Sequence, residues 1–223
     1  MPRIARGLAD NQIYHIINRG NNRQRIFHAP QDYDAFIKYM KEARERHPIK
    51  IYAYCLMPNH FHMILMTIQA GDLSKWMQWL MTSHVRRYHT KHKTSGHIWQ
   101  GRFKSFIIQK DEHLVTALRY VENNPVRAGL VVQAKDWIWS SHRELGGFIK
   151  RFLTDEPPIN LPKNWSNFVN KPLTDKELEK VRTSVVRQCP FGAYEWQMRM
   201  SNELGLRSTM NPRGRPKKDV EKK

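Results

Sequence analysis

Short runs of apolar and β-branched residues alternate with longer segments of helical periodicity over the first part of the chain. Residues 13–18, with the sequence Ile-Tyr-His-Ile-Ile-Asn, predict a first strand. Residues 49–57 and 60–68 predict two more strands, which form a β-hairpin around the turn at Pro58-Asn59. Residues 103–109 predict a fourth strand.

Three segments between and after these strands carry apolar residues at helical spacing. Asp32 is predicted to cap the first helix, and Gly71-Asp72 to begin the second. The third is predicted from Asp111 to about Asn124, because Pro125 disfavours a further turn. The predicted buried positions are Phe36, Ile37, Met40 and Ala43, then Leu73, Trp76, Met77 and Leu80, then Leu114, Ala117, Leu118 and Val121. The order βαββαβα predicts an α+β fold, an antiparallel sheet with helices packed on it.

The composition of the sequence changes after residue 145, where a glycine pair and several prolines interrupt the helical and strand periodicity. We therefore predict a folded domain over residues 1–145 and a linker over residues 146–173. Two short helical stretches and a basic tail follow. Residues 174–223 are thus predicted to form a small, mainly helical, basic extension that binds DNA.

Lysine and arginine number 38 against 20 aspartate and glutamate among 223 residues, a formal net charge of +18. Such a charge favours a polyanionic partner, and aromatic residues at 11% suit nucleic acid with unpaired bases. The sequence contains no signal-peptide pattern, no run near the ~20 apolar residues of a membrane span and no convincing basic amphipathic helix. We expect a cytoplasmic, nucleoid-associated protein with no membrane partner. Cys55 and Cys189 lack the spacing of a disulfide framework or zinc site.

His60 and His62 lie within a predicted strand, where side chains alternate between the two faces. Both imidazoles should therefore point one way, and Phe61 should point into the opposite layer. This geometry offers two nitrogen atoms to one metal ion. An isolated pair of this kind is also typical of ordinary polar residues on a half-solvated strand, so the spacing alone leaves both interpretations open.

Tyr120 and Asn124 are four residues apart on the third predicted helix and share a flank beside its apolar stripe. His113 lies on the same side of that helix. A tyrosine at such a position usually packs against the core with its hydroxyl at the surface. Asn124-Pro125 is likewise typical of a simple helix stop, so the helix alone does not predict catalysis.

Four stretches together resemble, in order and spacing, the REP-associated tyrosine transposases, which are relatives of the single-tyrosine insertion-sequence transposases. The resemblance covers about residues 10–145. The stretches are Tyr-His-Ile-Ile-Asn-Arg-Gly-Asn-Asn at 14–22, Met-Pro-Asn-His-Phe-His at 57–62, Trp-Gln-Gly-Arg-Phe-Lys-Ser at 99–105 and Tyr-Val-Glu-Asn-Asn-Pro-Val-Arg-Ala-Gly-Leu at 120–130.

The resemblance implies a ferredoxin-like sheet with the histidine pair on a central strand and the tyrosine helix alongside. It implies that residues 1–145 are a catalytic domain of the HUH type. His60 and His62 match the metal ligands, Asn124 matches a third polar ligand, and Tyr120 matches the nucleophile. The resemblance also implies Mg²⁺ or Mn²⁺, although nitrogen ligands by themselves suit several transition metals better. No small-molecule cofactor is expected.

Nine residues are candidate DNA contacts, and a solvated surface or a packing role is the alternative for each. Between residues 73 and 110 the chain has eight lysines or arginines and no acidic residue, with aromatic residues interspersed. The turn after the first strand resembles a stretch that recognises DNA in relatives, and the sequence at 213–216 resembles an AT-hook. The candidates are Arg19, Arg23, Arg86, Arg87, Trp99, Arg102, Lys104, Arg213 and Arg215.

The leading hypothesis is an enzyme that nicks and joins single-stranded DNA at hairpin-forming repetitive extragenic palindromes through a 5′-phosphotyrosine intermediate. Two alternatives remain. One is a DNA-binding protein that has lost catalysis. The other is a metallohydrolase in which the histidines activate water on a phosphodiester and Tyr120 is structural. A monomer and a homodimer are both compatible with the sequence.

Overall fold

The computed structural model describes residues 7–211 of the chain. Arg213 and Arg215, and with them the AT-hook prediction, lie outside the described residues. No helix within the described range has both the length and the apolar character needed to cross a membrane.

A four-stranded sheet forms the centre of the fold. Its strands are β1 (Ile13–Arg19), β2 (Ile49–Met57), β3 (His60–Thr67) and β4 (Lys104–Ile108). They lie in the order β2-β3-β1-β4, and each neighbouring pair is antiparallel. This is the ferredoxin-like arrangement, so the predicted α+β fold is confirmed.

The helices follow the strands in the predicted order over the first part of the chain and continue beyond it. They are α1 (Pro30–Arg46), α2 (Ala70–His92), α3 (Glu112–Glu122), α4 (Asn124–Arg127), α5 (His142–Leu145), α6 (Trp165–Asn170), α7 (Asp175–Arg187), α8 (Tyr194–Glu203) and α9 (Arg207–Met210). Short 3-10 turns occur at Asn21–Arg23 and Ala134–Asp136.

The two faces of the sheet bury separate apolar clusters. On one face, α1 and α2 pack on a cluster that includes Tyr14, Phe61 and Trp76. On the other face, α3 packs on a cluster that includes Ile64 and Tyr120. Because adjacent strand residues point to opposite faces, His60 and His62 belong to the α3 side whereas Phe61 belongs to the α1 side, as predicted.

The start of α1 differs from the prediction. Ala29 is the N-cap residue, and Pro30 takes the first helical position, where its missing N–H is no loss. Asp32 lies within the first turn, and its carboxylate accepts hydrogen bonds from the backbone N–H groups of His28 (3.0 Å) and Ala29 (3.1 Å). Asp32 therefore accepts from backbone N–H groups at the start of the helix, as an N-cap residue does, but from a position inside the first turn. An aspartate at the start of a helical pattern is expected in either case, so the sequence does not distinguish the two positions.

The predicted stop at Pro125 is wrong in one respect. The backbone of Asn123 stays in the α region, and the chain continues into α4 with Pro125 in its first turn. Pro125 has no N–H for the carbonyl of Val121, and the Asn124 Nδ2 donates to that carbonyl (3.3 Å) and to the carbonyl of Tyr120 (2.9 Å) instead. The asparagine side chain therefore replaces the hydrogen bond that proline removes.

Residues 146–173, predicted as a linker, pack against the sheet and α3. Leu153 and Val169 are buried, and Asp155 extends the edge of β2, where its backbone N–H donates to the carbonyl of Ile51 (2.7 Å). The buried Arg119 of α3 donates to the carbonyl of Lys171 (2.8 Å). Proline and glycine are frequent both in loops that pack against a domain and in flexible linkers. The composition of this segment therefore did not predict its packing. The division of the chain at residues 145 and 173 stays a prediction.

Candidate active site

His60 and His62 face the α3 layer from β3, one of the two central strands of the sheet. Their ring centroids are 5.1 Å apart, and the rings are nearly perpendicular. His62 is buried, and His60 is half-buried at the end of the strand. Two imidazoles thus converge on one point, as the strand alternation predicted.

Each of these imidazoles is held through its Nδ1 atom. His60 Nδ1 lies 2.7 Å from the amide oxygen of Asn59, so it is the protonated nitrogen, since an amide oxygen only accepts. His62 Nδ1 lies 2.9 Å from Nε2 of His15. When the partner groups occupy both Nδ1 atoms, the two Nε2 lone pairs are available to a metal ion, which is the usual arrangement of histidine ligands.

Burial keeps both imidazoles neutral. Burial, together with the nearby positive charges of Arg19 and Arg127, lowers the pKa of His60 to about 4. Burial also holds the pKa of His62 well below its usual range, with His15, His60 and the same two arginines adding to the effect. A metal ligand must be the neutral imidazole, so the pair is in the ligand-competent state at physiological pH.

His15 is a third histidine at the site. The sequence did not predict it as a site residue. Its ring stacks on His62 at 5.0 Å and lies 4.7 Å from the ring of Phe106. It is buried, and burial lowers its pKa to about 3. His15 therefore acts as a neutral support that fixes the orientation of His62.

Tyr120 lies over the histidines from α3. Its ring meets the ring of His62 edge to face at a centroid distance of 5.6 Å and lies 6.1 Å from the ring of His15. It is 5% exposed, so its ring is buried. The structure thus brings the phenol and the histidine pair together.

Asn124 and Arg127 lie on the same side of the helical segment as Tyr120, four and seven residues further along. The Asn124 side chain is buried, and its Oδ1 accepts a hydrogen bond from Nη2 of Arg127. The Arg127 guanidinium stacks on the Tyr120 ring at 4.4 Å. Asn124 therefore lies next to the site with its oxygen directed towards Arg127.

Three of the predicted DNA contacts line a basic cleft next to the histidines. Arg19 is paired with His60 across the β1–β3 ladder. Together with Arg102 and Lys104 it lines a cleft of about 480 Å³ that α7 borders through Val185 and Val186.

Other predicted contacts lie elsewhere. Trp99 is a core residue on the opposite face of the sheet, 6% exposed and 5.4 Å from the ring of Phe61, so it offers no ring to a DNA base. Arg87 of α2 lies 3.8 Å from the carboxylate of Asp32, and Arg86 is exposed on the same helix, in the layer remote from the histidines. Arg23 is exposed in the loop after β1.

A group of possible ligand atoms also occurs at the start of α3. Atoms of Asp111, Glu112 and His113 lie within 4.8 Å of one another. The Asp111 carboxylate caps α3 by accepting from the backbone N–H of His113 (2.9 Å) and contacts its ring nitrogen (2.8 Å). These contacts give the group a helix-capping role.

A family profile described as "Transposase IS200 like" matches residues 9–124, which is more than half of the chain. The chain belongs to this family. The matched stretch contains the whole sheet and reaches from β1 to Asn124, so it includes the histidine pair and Tyr120.

Two curated proteins are similar to this IS200-like transposase family member. One, from Haemophilus influenzae, is described as belonging to the REP-associated tyrosine transposases and is 32% identical over 117 residues, which are 47% of this chain and 66% of that protein. The other, the REP-associated tyrosine transposase of Escherichia coli, is 31% identical over 110 residues, 48% of this chain and 62% of that protein. The chain thus spans somewhat under two thirds of each relative.

A solved structure of a REP-associated tyrosine transposase bound to a REP hairpin has the same fold. It superposes with a TM-score of 0.56 at 18% identity, covering 78% of this chain and 100% of that chain. The coverage of this chain extends beyond the stretch that the family profile matches.

His15 and Arg127 are the site residues that sequence reasoning missed. The sequence places His15 in a strand, but its contact with His62 depends on the pairing of β1 with β3. Arg127 was missed because the helix was predicted to end at Pro125. The spacing Tyr120, Asn124 and Arg127, at i, i+4 and i+7, was the signal that could have found it.

Proposed function

We propose that this protein is a metal-dependent single-stranded DNA endonuclease and strand transferase that uses Tyr120 as its nucleophile. The observation that carries the proposal is the position of the Tyr120 ring, 5.6 Å from the ring of His62, on the face where His60 and His62 converge. Membership of the IS200-like transposase family supports it. By analogy with the REP-associated relatives, the substrate is a DNA hairpin with an adjacent unpaired strand.

The residues present fit a divalent ion. Nε2 of His60 and Nε2 of His62 would hold it, since both Nδ1 atoms are engaged elsewhere and both rings are neutral. Oδ1 of Asn124 accepts a hydrogen bond from Arg127 through one lone pair and would offer its second lone pair as the third ligand. Two nitrogen atoms and one oxygen leave coordination positions for phosphate and water. The family resemblance favours Mg²⁺ or Mn²⁺. Such an ion, when bound, polarises the phosphate oxygens as a Lewis acid.

The chain's own residues account for the rest of the reaction. A phenol is almost entirely protonated at neutral pH, so Tyr120 must be held in line with the phosphorus atom to react. Its Oη forms a bond to phosphorus as the bond from phosphorus to the 3′ oxygen breaks, and the phenolic proton ends on the departing 3′ oxygen. The products are a 5′-phosphotyrosine and a free 3′-hydroxyl. Attack by another 3′-hydroxyl reverses the step and joins strands without ATP.

The cleft lined by Arg19, Arg102 and Lys104 is the proposed path of the unpaired strand. It begins beside His60, and its three cations can bind successive backbone phosphates. Arg86, Arg87 and Trp99 are not part of this path, because α2 and Trp99 lie on the other face of the sheet.

The test uses a pool of fluorescent hairpin oligonucleotides with randomised single-stranded flanks, incubated with the protein and Mg²⁺ or Mn²⁺. A denaturant-resistant protein–DNA adduct is expected with the wild-type protein and not with Tyr120→Phe, while Tyr39→Phe serves as a matched control on α1. Cleavage retained by Tyr120→Phe would support a metallohydrolase instead. Binding without cleavage by the wild-type protein would indicate a non-catalytic DNA-binding protein.

A further inference from the structure

Two arginines lie near Tyr120 in the sequence, Arg119 on α3 and Arg127 on α4, and their surroundings differ. Arg119 is buried, donates to the carbonyls of Lys171 and Pro172, and stacks on Phe168 at 4.4 Å, so it joins α3 to the segment before α7. Arg127 is exposed, and within the part of the chain that the structure describes its guanidinium contacts the ring of Tyr120 and the amide oxygen of Asn124. A guanidinium has five N–H donors, so most of those on Arg127 are available to a ligand.

The charge around Arg127 favours an anion. Arg19 lies beside His60 across the β1–β3 ladder, and Arg127 lies against the ring of Tyr120, which meets His62 edge to face. Within residues 7–211, the Arg127 guanidinium forms no ion pair with a carboxylate. Two positive charges thus lie beside the histidine pair, and among the described residues no carboxylate pairs with either of them. A phosphodiester would supply a counter-charge.

We propose that Arg127 binds the scissile phosphate during attack by Tyr120 and remains bound to the resulting phosphotyrosine. This inference rests on the proposed function. The Arg127 guanidinium lies over the ring of Tyr120, 4.4 Å from its centroid. A phosphorus atom that the Tyr120 hydroxyl attacks lies next to the same ring, and therefore near the guanidinium. The fork of N–H donors can pair with two phosphate oxygens at once, which a lysine ammonium cannot do. The hydrogen bond to Asn124 holds the fork at this position before DNA arrives.

The first experiment measures the rate of adduct formation on one oligonucleotide chosen from the cleaved pool. Arg127→Gln is expected to slow the reaction about 100-fold, the usual effect of removing one transition-state donor. Arg127→Lys keeps the charge without the fork and should restore about a tenth of the wild-type rate. Lys38→Gln, which removes an exposed charge on α1 in the opposite layer, is the control and should change the rate less than about twofold.

The second experiment separates phosphate binding from a structural role. In the Tyr120→Phe protein, replacing the scissile phosphate by a neutral methylphosphonate should weaken binding about tenfold, since one charge-assisted contact is lost. In Tyr120→Phe with Arg127→Gln, the preference for the charged phosphate should shrink to the part that the divalent ion contributes. A structural role would weaken both equally and leave the ratio at its original value.

The outcomes for the two proposals are distinct. If the wild-type protein forms no adduct with any member of the pool, the proposed function fails. If it forms the adduct, and Arg127→Gln forms it at the same rate or keeps the original preference for the charged phosphate, only the assignment of Arg127 is overturned. Thermal melts of each variant confirm that the compared proteins are folded.

Discussion

His15 illustrates how one side chain can determine the properties of another, here the proposed metal ligand His62. Its Nε2 lies 2.9 Å from Nδ1 of His62, and the two rings stack. For His62 to present the lone pair of Nε2 to a metal ion, its Nδ1 must carry the proton and needs an acceptor. His15 is the acceptor that the structure provides.

His15→Leu is therefore expected to lower the affinity of the protein for Mn²⁺ about tenfold or more, as loss of a ligand's supporting hydrogen bond commonly does. Calorimetric titration with Mn²⁺ in the absence of DNA measures this directly. His97→Gln, at an exposed histidine after α2, is the control and should bind Mn²⁺ like the wild-type protein. Equal affinity of His15→Leu and wild type would contradict the supporting role.

At the scale of single residues, the sequence predicted the parts of the site that depend on local spacing. The alternation of β3 placed His60 and His62 together, and helical periodicity placed Asn124 near Tyr120. It did not predict His15, whose role requires the register of two strands that are distant in sequence. The metal-binding and catalytic roles of these residues stay predictions.

At the scale of elements, the junction of α3 and α4 matters most for the site. Asn124 compensates for Pro125, so the helical path continues far enough to carry Arg127 over Tyr120. Gly129 then ends α4 with a positive φ of 68°, and Leu130 donates its backbone N–H to the carbonyl of Pro125 (2.9 Å). This is a Schellman-type ending, which favours glycine.

Gly129→Ala is expected to destabilise the protein by about 1 kcal/mol, because alanine is strained at positive φ. The strain should also loosen α4 and lower the rate of adduct formation. Urea denaturation measures the first effect. Gly71→Ala is the control, because Gly71 lies in the first turn of α2 with open space around its Cα and no positive φ, and it should be neutral or stabilising. Equal loss in both variants would show that α4 is not held by this ending.

The strands and the first three helices were predictable because each has an apolar pattern of its own. The α4 helix has none: it is four residues long and begins beside a proline. Local rules predict a stop there, and a side-chain hydrogen bond from Asn124 overrides them.

At the scale of the whole molecule, a buried carboxylate joins the tyrosine helix to the later part of the chain. Glu122 accepts hydrogen bonds from Ser141 Oγ (2.6 Å), His142 Nδ1 (2.7 Å) and Trp165 Nε1 (2.8 Å). Trp165 lies within the segment predicted as a linker and is 4% exposed. Sequence patterns could not reveal this, because the partners are up to 43 residues apart.

Trp165→Phe should destabilise the protein by about 1–3 kcal/mol, because it leaves part of a buried carboxylate without a donor. Trp79→Phe, at a half-buried tryptophan of α2, is the comparison and should have a smaller effect. Chemical denaturation followed by circular dichroism measures both. Equal stability of Trp165→Phe and the wild-type protein would contradict the stabilising role given to the hydrogen bond from Trp165 to Glu122.

Acid should destabilise the whole molecule. His84, packed between Phe27 and Phe36, has its pKa lowered to about 4 by burial, whereas an unfolded histidine titrates near 6.5. The unfolded chain therefore binds the proton first, so stability is complete above pH 6.5 and falls as the pH drops towards 4. This shift corresponds to roughly 3 kcal/mol for one buried histidine.

Melting temperatures measured with a chelator between pH 7.5 and 4 test this prediction. The wild-type protein should lose stability steeply below pH 6.5, and His84→Gln should have a shallower slope. His89→Gln, on the more exposed part of α2, should leave the slope unchanged. A slope that is identical in all three proteins would contradict the assignment of acid sensitivity to burial.

The most direct test of the account is the identity of the amino acid joined to DNA. After reaction with a hairpin oligonucleotide, nuclease digestion and trypsin should release residues 120–127, the peptide between two arginines, with a nucleotide 5′-phosphate on it. Tandem mass spectrometry locates the modified residue. If Tyr120 is the nucleophile, the modified residue is Tyr120. A DNA-linked tyrosine elsewhere in the chain, or cleavage of the DNA with this peptide unmodified, would contradict that role.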